Sequence, residues 1–428
     1  MTSGTTIADA PSANAIDFDP LSEATIRDPG PAYSELAAKC PFHHYRGPDY
    51  DFHITSDYRQ IRDEILSDTK TIWSFKFGNS AKDWGADDGE FNNVGFMTDG
   101  AFHQDWASAP RKGMTPKKIR DYTPEVEAIA DELVTAMEKA EVKSGNFHDL
   151  FALPLPARTM CFMLGADQAN YPRYKHWADI LQFMLFSDPD PTAFREIVEE
   201  FQPHFMTLIE ERKRIIADAG IDEPTVEHLG TLLPYDYISL GLVLRVDGRR
   251  LNDAELFNIC TAFLTGGQET TTSLITNMVW RLLEVPERWE TLKARPELID
   301  NVIEESLRYD PPVIAHFRTS LEATTLNGVD LPERSKLMFS MIGANRDPSL
   351  FPDPDSFRID RPLGEVRKHI SFGYGVHFCL GAPVARLEAK VALTQLIARL
   401  PKLRLTGETK RIDSWLYWGR KELPVAWD

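Results

Sequence analysis

The sequence predicts a mainly α-helical protein with small β-sheets attached, built as one large domain. Three observations carry that expectation. Apolar residues recur at i, i+3, i+4 and i+7 through 125–139, 150–164, 170–186, 193–218 and 253–284. Stretches of β type are short and confined to 50–56, 322–329, 335–342, 401–405 and a terminal hairpin around 411–427. No internal repeat and no Pro/Ser/Gly linker divides the chain. Residues 26–428 therefore read as a single domain, and the polar residues 1–25 as a loose, flexible arm that joins the fold late.

Taken in order, the start MTSGTTIADAPSANAIDFDP has no basic region followed by an apolar core, so it is not read as a secretory signal. Short β-type pieces and a helical segment near Tyr58–Leu66 precede a Gly-, Asn- and Asp-rich stretch at 75–100, read as a long irregular loop. Helical periodicity then dominates. Its longest run opens with a capping box, Asn252 and Glu255, and closes at Pro286. Roughly 32 helical residues would extend about 48 Å at 1.5 Å each. A helix apolar around most of its circumference must pass through the middle of the molecule. Its centre is Thr265-Gly266-Gly267-Gln268-Glu269-Thr270-Thr271-Thr272, a set of poor helix formers in which each Gly costs about 1 kcal/mol relative to Ala. Two readings are open: close packing with a mild kink, or a groove where a flat ligand approaches the backbone beside a carboxylate and a hydroxyl.

Composition removes several function classes. Acidic residues outnumber basic ones 65 to 47, a formal charge of −18 that repels phosphate backbones and argues against nucleic acid as a partner. No apolar run reaches the roughly 18 residues that span a bilayer, so no membrane role is expected. Four cysteines, Cys40, Cys161, Cys260 and Cys379, show neither a C-x-x-C spacing nor a zinc pattern. A reducing, cytoplasmic compartment is expected. Cys161 and Cys260 sit within apolar helical patterns and read as buried, inert thiols.

Cys379 differs. It stands in Phe372-Gly373-Tyr374-Gly375-Val376-His377-Phe378-Cys379-Leu380-Gly381, ahead of the helical run APVARLEAKVALTQLIARL. The glycines permit a tight loop, and the helix that follows aims free N–H groups and a positive dipole end at the sulfur, favouring thiolate. A sulfur held in a Gly-rich, apolar loop suits a soft or redox metal. A catalytic pair with His377 is the competing reading, which the Gly-rich spacing serves poorly.

These residues resemble the cytochromes P-450, haem-thiolate monooxygenases, in their bacterial soluble type. The pattern F-x-x-G-x-[HR]-x-C-x-G is met by Phe372, Gly375, His377, Cys379 and Gly381. Glu305-Ser306-Leu307-Arg308 is similar to the family's E-x-x-R motif. Ala344 to Pro348 with Phe351 to Phe357 resembles its meander, and Gly266-Gly267-Gln268-Glu269-Thr270 its oxygen-activation motif. The resemblance is specific over roughly 250–390 and looser over 30–250. It implies the triangular, helix-rich P-450 fold, with haem b between the long central helix and the Cys379 loop.

The resemblance also implies roles. Cys379 would be the proximal iron ligand, shielded by Phe372 and supported by N–H groups beyond it, near Gly381. Glu269 and Thr270 would be the acid–alcohol pair that relays protons, with Gly267 leaving room for O2. Taken without the resemblance, Glu269 reads as a solvated face residue. Arg318, His377 and His103 would hold the haem propionates. The Arg expected four residues after His103 is replaced by Ala107, and Pro110 is expected to interrupt that helix, leaving Arg111 or Trp106 as substitutes. Taken alone, His103 reads as a surface histidine. Glu305 and Arg308 would be buried and structural, although by themselves they also fit an exposed helical pair.

Substrate contacts are expected from Phe96 and the aromatics Trp73, Phe75 and Phe77 around the 75–100 loop, and from Phe183, Phe186, Leu264, Val313, Phe317 and Leu416, with Trp415, Tyr417 and Trp418 beside the last. Together they would line an apolar cavity for a small terpenoid, aromatic or steroid-like molecule. Arg111, Lys112, Lys117, Lys118 and Arg120 put five positive charges into ten residues of an acidic chain. By itself this segment reads as a solvated face; the resemblance implies a docking site for an acidic ferredoxin, with a separate ferredoxin reductase supplying it. The expected activity is insertion of one oxygen atom from O2, as hydroxylation or O-demethylation, by a monomer. A peroxide-driven peroxygenase and a non-catalytic haem sensor or carrier are the rival readings, and the intact Glu269–Thr270 pair speaks against both.

Overall fold

The computed structural model describes residues 16–68, 72–75, 81, 98–186, 191–246 and 248–428. Its longer helices are α1 Pro29–Lys39, α2 Gly100–Arg111, α3 Pro116–Lys139, α4 Pro154–Leu164, α5 Tyr171–Phe186, α6 Gln202–Asp218, α7 Asp253–Gly267, α8 Glu269–Glu284, α9 Ile299–Tyr309 and α10 Ala382–Arg399. The mainly helical expectation holds. The five-stranded sheet runs β1-β2-β5-β4-β3, where β1 is Phe42–Arg46, β2 Asp51–Thr55, β3 Trp73–Ser74, β4 Ala315–Ser320 and β5 Lys336–Ser340. β5 lies parallel to β2, and the other neighbours are antiparallel. Smaller pairings close the C-terminus, with Lys410–Arg411 on Arg420–Glu422, and Pro424–Ala426 between Arg404–Leu405 and Ser144–Asn146. No helix of the described residues is long and apolar enough to cross a membrane.

Two expectations change. Of the arm expected at 1–25, residues 1–15 lie outside the described residues; in 16–25 Phe18 is buried, its ring edge-on to Tyr33 at 5.0 Å, and a short helix begins at Glu23. Burying one large aromatic ring is enough to hold such a segment down. The long central helix is two helices, α7 and α8, meeting at Gln268 (φ −85°, ψ −68°). Its predicted capping box is present, with Glu255 N–H donating to Asn252 Oδ1 (2.9 Å) and Asn252 N–H to Glu255 Oε2 (2.8 Å).

One apolar core gathers α4, α5, α6 and α7, including Trp177, Phe201 and Phe205. A second gathers α3, α8, α9 and α10 around Leu274, Val302 and Leu393. Met160 and Val384 of the first and Leu274 and Leu307 of the second border the same interior cavity, so the two cores meet around it. The α7–α8 junction therefore faces a space, and the fold keeps it there by packing both flanking helices.

Candidate active site

The cavity measures about 370 Å³. The α7–α8 junction forms one wall, and the 371–381 loop with the start of α10 forms the opposite one. α2 closes one side, while β4 and Tyr417 close another.

The Cys379 loop is shaped by its glycines and by α9. Gly375 has φ +68°, and a Cβ there would stand 2.2 Å from the Leu66 carbonyl oxygen, so only glycine fits. Cys379 N–H donates to the Phe372 carbonyl at 2.9 Å, closing the loop. Upstream, Asn345 Oδ1 accepts from Ile370 N–H (2.9 Å), and Ser371 Oγ donates to the Leu307 carbonyl of α9 (2.6 Å). Cys379 lies below the protein surface but is accessible through the cavity it lines. Backbone N–H groups of Gly381 and Ala382 point to it as expected, yet burial outweighs them and pushes the thiol up.

On the opposite wall the helix break is held open by side chains. Gln182 Nε2 of α5 donates to the Thr265 carbonyl (2.7 Å), and Thr270 Oγ1 donates to the Gly266 carbonyl (2.7 Å). Carbonyls at the end of α7 thus find partners without a continuous helical ladder. The two glycines have different jobs. A Cβ on Gly267 would lie 2.3 Å from Met160 Sδ of α4, whereas one on Gly266 meets nothing within 4 Å. Both glycines border the cavity: Gly267 lets Met160 of α4 pack against the junction, and Gly266 leaves open space beside it.

Thr270 lines the cavity, while Glu269 is buried beside it and accepts from Ser273 Oγ at 3.3 Å. Its other oxygen meets Lys175 Nζ of α5 at 3.1 Å, and Lys175 also pairs with Asp179. Burial pulls the Lys175 ammonium down, but the two carboxylates outweigh it and hold it above its ordinary value. Glu269 is thus no solvated face residue, and Lys175 is a member of the site that the sequence gave no sign of.

One side of the cavity is built to bind carboxylates. Arg318 is buried, lies 4.6 Å above the Phe75 ring, and is pulled down to about 10 by burial. His103 is buried too, its ring 4.0 Å from that of His377. His377 Nε2 bonds Asp99 Oδ1 at 3.1 Å, and Asp99 is fixed in turn by Ser74 Oγ (2.5 Å) and Phe75 N–H (3.2 Å). Asp99 is another contributor that sequence reasoning missed. α2 runs through Pro110 to Arg111, so the expected interruption is absent, and Tyr237 Oη donates to the Pro110 carbonyl (3.3 Å). Trp106 lines the cavity with a buried Nε1–H that has no partner among the described residues. Arg111 also borders it and donates to the Val376 carbonyl at 3.0 Å.

Glu305 and Arg308 are wholly buried. Arg308 grips Glu305 through two hydrogen bonds of 2.8 Å, Arg361 adds a third of 2.9 Å, and Arg308 also donates to the carbonyls of Asn345, Pro354 and Ser356. An exposed helical pair is excluded. The network ties α9 to the segment leading to the Cys379 loop.

Of the expected substrate contacts, Val313 lines the cavity. Leu264, Phe317 and Leu416 do not: Leu264 is buried in the α4–α7 core, and Phe317 and Leu416 in the core beneath the sheet. Their neighbours Phe263, His316, Arg318 and Tyr417 face the cavity instead. For Phe317 the reason is parity, since successive residues of β4 point to opposite faces and turn His316 and Arg318 to the cavity. Phe75 lines the cavity and Trp73 is buried. Phe96 and Phe77, and the side chains of Phe183 and Phe186, lie outside the described residues. In the basic segment, Arg111, Lys112, Lys117 and Arg120 are exposed, but Lys118 is not a free docking charge: it sits 3.2 Å from the Tyr235 ring centroid and pairs with Asp121 at 3.3 Å.

An apolar cavity with a single cysteine on one wall and carboxylate-binding groups at its side suits a flat, dicarboxylate macrocycle around a metal, which makes this fold and site those of a haem-thiolate protein. Comparison with known proteins agrees. The sequence model of the cytochrome P450 family matches residues 96–414. The chain is 30% identical to the cytochrome P450 monooxygenase PikC of Streptomyces venezuelae, covering 96% of this chain and 94% of that one. It is 33% identical to the erythromycin C-12 hydroxylase of Saccharopolyspora erythraea over 73% of this chain and 74% of that one. The crystal structure of CYP109E1 from Bacillus megaterium in complex with testosterone superposes with a TM-score of 0.77 at 29% identity, covering 94% of this chain and 99% of that one. The chain belongs to the cytochrome P450 family; it is a monooxygenase whose cofactor is haem b. The residues fit that group: the orphaned Trp106 N–H, Arg318 and His103 face the cavity where carboxylates would lie, and Cys379 faces it where a metal would.

Proposed function

We propose that this enzyme inserts one oxygen atom of O2 into a small apolar substrate of terpenoid, aromatic or steroid-like type, by hydroxylation or O-demethylation, using electrons from a separate ferredoxin and its reductase. The observation that carries the reading is the Glu269–Thr270 pair at the helix break, across the cavity from Cys379.

Haem, when bound, would supply the redox chemistry that activates O2. Cys379 would hold its metal, with Phe372 and Gly381 beside the sulfur. Arg318, His103, His377 and Trp106 would hold its carboxylates, and Asp99 orients His377. On the substrate side, Thr270 Oγ1 presents a hydroxyl to the cavity and Glu269 brings protons to it. Lys175 keeps Glu269 turned toward α5 until a proton is needed; rotation of the carboxylate away from Lys175 toward Thr270 links the cavity to the α5 surface. Apolar walls from Leu66, Ala262, Phe263 and Val313 bind the substrate and exclude bulk water. The testosterone-bound relative and the erythromycin hydroxylase support an apolar, polycyclic or macrocyclic size range. Exposed Arg111, Lys112 and Lys117 are the docking charges for an acidic ferredoxin.

The test is turnover with ferredoxin and reductase on a substrate found by its shift of the Soret band. Thr270→Ala should keep NADH consumption but lose about nine-tenths of the product formed per NADH. Product yield equal to that of the wild type would remove Thr270 from the relay.

A further inference from the structure

On the α10 side of the Cys379 loop lies a charged cluster that the proposed chemistry does not use. Arg386 of α10 is held by Glu304 of α9 in a bidentate pair, Nε to Oε1 at 2.6 Å and Nη2 to Oε2 at 3.0 Å. Its guanidinium lies over the Phe372 ring, 4.6 Å from the centroid. Phe372 is the residue whose carbonyl accepts the Cys379 N–H.

Glu304 is fixed from its other side by His369 Nε2 at 2.9 Å. Ser371 N–H donates to His369 Nδ1 at 3.2 Å, so the proton sits on Nε2 and the imidazole is neutral. Burial, which pulls this imidazole down, acts in the same direction. Arg367 is 3.7 Å from Glu304 and points to solvent, with half its side chain exposed. The cluster therefore has one carboxylate, a neutral histidine, and one guanidinium turned toward the loop.

We propose that Arg386 is a positioning residue for electron uptake: stacked on Phe372 and aimed by Glu304, its positive charge draws electron density from the Cys379 thiolate and raises the reduction potential of the metal that the sulfur binds. The physical basis is ordinary electrostatics. Reduction adds negative charge to the thiolate–metal unit, and a fixed cation behind the ligand stabilises the more negative state. A third of the Arg386 side chain is exposed, so solvent and salt screen part of the effect. The proposal rests on Cys379 as the axial ligand.

The test compares haem-loaded wild type with Arg386→Met, Arg386→Lys and Glu304→Gln, reading the one-electron reduction potential by spectroelectrochemical titration and the spectrum of the ferrous carbonyl complex. Arg386→Met should lower the reduction equilibrium constant about three- to tenfold, where tenfold corresponds to 59 mV. Arg386→Lys should retain more than half of the wild-type advantage. Glu304→Gln, which removes the anion and keeps the cation, should shift the potential upward. If Arg386→Met fails to load haem, the upward shift of Glu304→Gln carries the test by itself. Potentials unchanged in all variants, an equal fall in Arg386→Met and Arg386→Lys, or a downward shift in Glu304→Gln would each overturn the proposal while leaving the ligand assignment intact. Absence of a thiolate-type carbonyl spectrum in the wild type would overturn both.

Discussion

Glu388 of α10 lies fully buried beside Thr159 of α4, and both its carboxylate oxygens lack a hydrogen-bond partner among the described residues. Burial pushes it up to about 8, and the Thr159 hydroxyl pulls only weakly the other way. The folded state therefore binds this proton more tightly than the unfolded chain does. Its stability falls as pH rises from the ordinary carboxylate range through about 8. Glu388→Gln should raise the melting temperature at pH 8 and leave it nearly unchanged at pH 5, in thermal melts of the haem-loaded protein; an equal change at both pH values contradicts the assignment. At this scale the sequence is legible where a motif fixes position and illegible where only packing does. Cys379, Thr270 and Arg318 face the cavity as their motifs imply. In β4, strand parity turns Phe317 inward and sends His316 and Arg318 to the cavity, while Leu416 packs in the same core and Tyr417 beside it reaches the cavity. Lys175 and Asp99 are remote in sequence from Glu269 and His377, and a lone charged residue carries no sign of a distant partner.

At the level of elements, the α7–α8 junction shows how one weak helical sequence serves two ends. The run of two glycines and four threonines from Thr265 to Thr272 signalled a kink or a groove, and the structure has both: a break at Gln268 and an open face at Gly266. What could not be read from the sequence is which glycine does which, because that depends on Met160 approaching from α4. Gly267→Ala should destabilise the fold by roughly 1–3 kcal/mol through overpacking, and Met160→Ala in the same chain should recover part of it. Gly266→Ala should leave the melting temperature within about 2 °C of the wild type and weaken substrate binding, measured by Soret titration. Equal destabilisation by the two substitutions contradicts the division of labour. Helix existence and capping were largely legible, from periodicity and from Asn252–Glu255. The π-type turns at 60–65, 148–152 and 197–201 were not, since one inserted residue leaves the apolar pattern nearly intact.

Across the whole molecule, charge is distributed in a way that fits the proposed electron supply. A chain of net charge −18 carries exposed Arg111, Lys112, Lys117 and Arg120 close together, and Arg111 also borders the cavity. Most of the surface then repels an acidic electron carrier while one face attracts it. Lys117→Glu should slow reduction by an acidic ferredoxin about tenfold in low salt, with the difference shrinking as ionic strength rises and substrate affinity unchanged. Stopped-flow reduction rates that are independent of salt in both proteins contradict this surface as the docking site.

The central claim is that Cys379 binds the haem metal, and the ferrous carbonyl spectrum of the purified protein tests it most directly. The account predicts a thiolate-type carbonyl band in the wild type and its loss in Cys379→Ala. A wild-type protein that shows no such band when fully loaded with haem, or a Cys379→Ala variant that keeps it, contradicts the account.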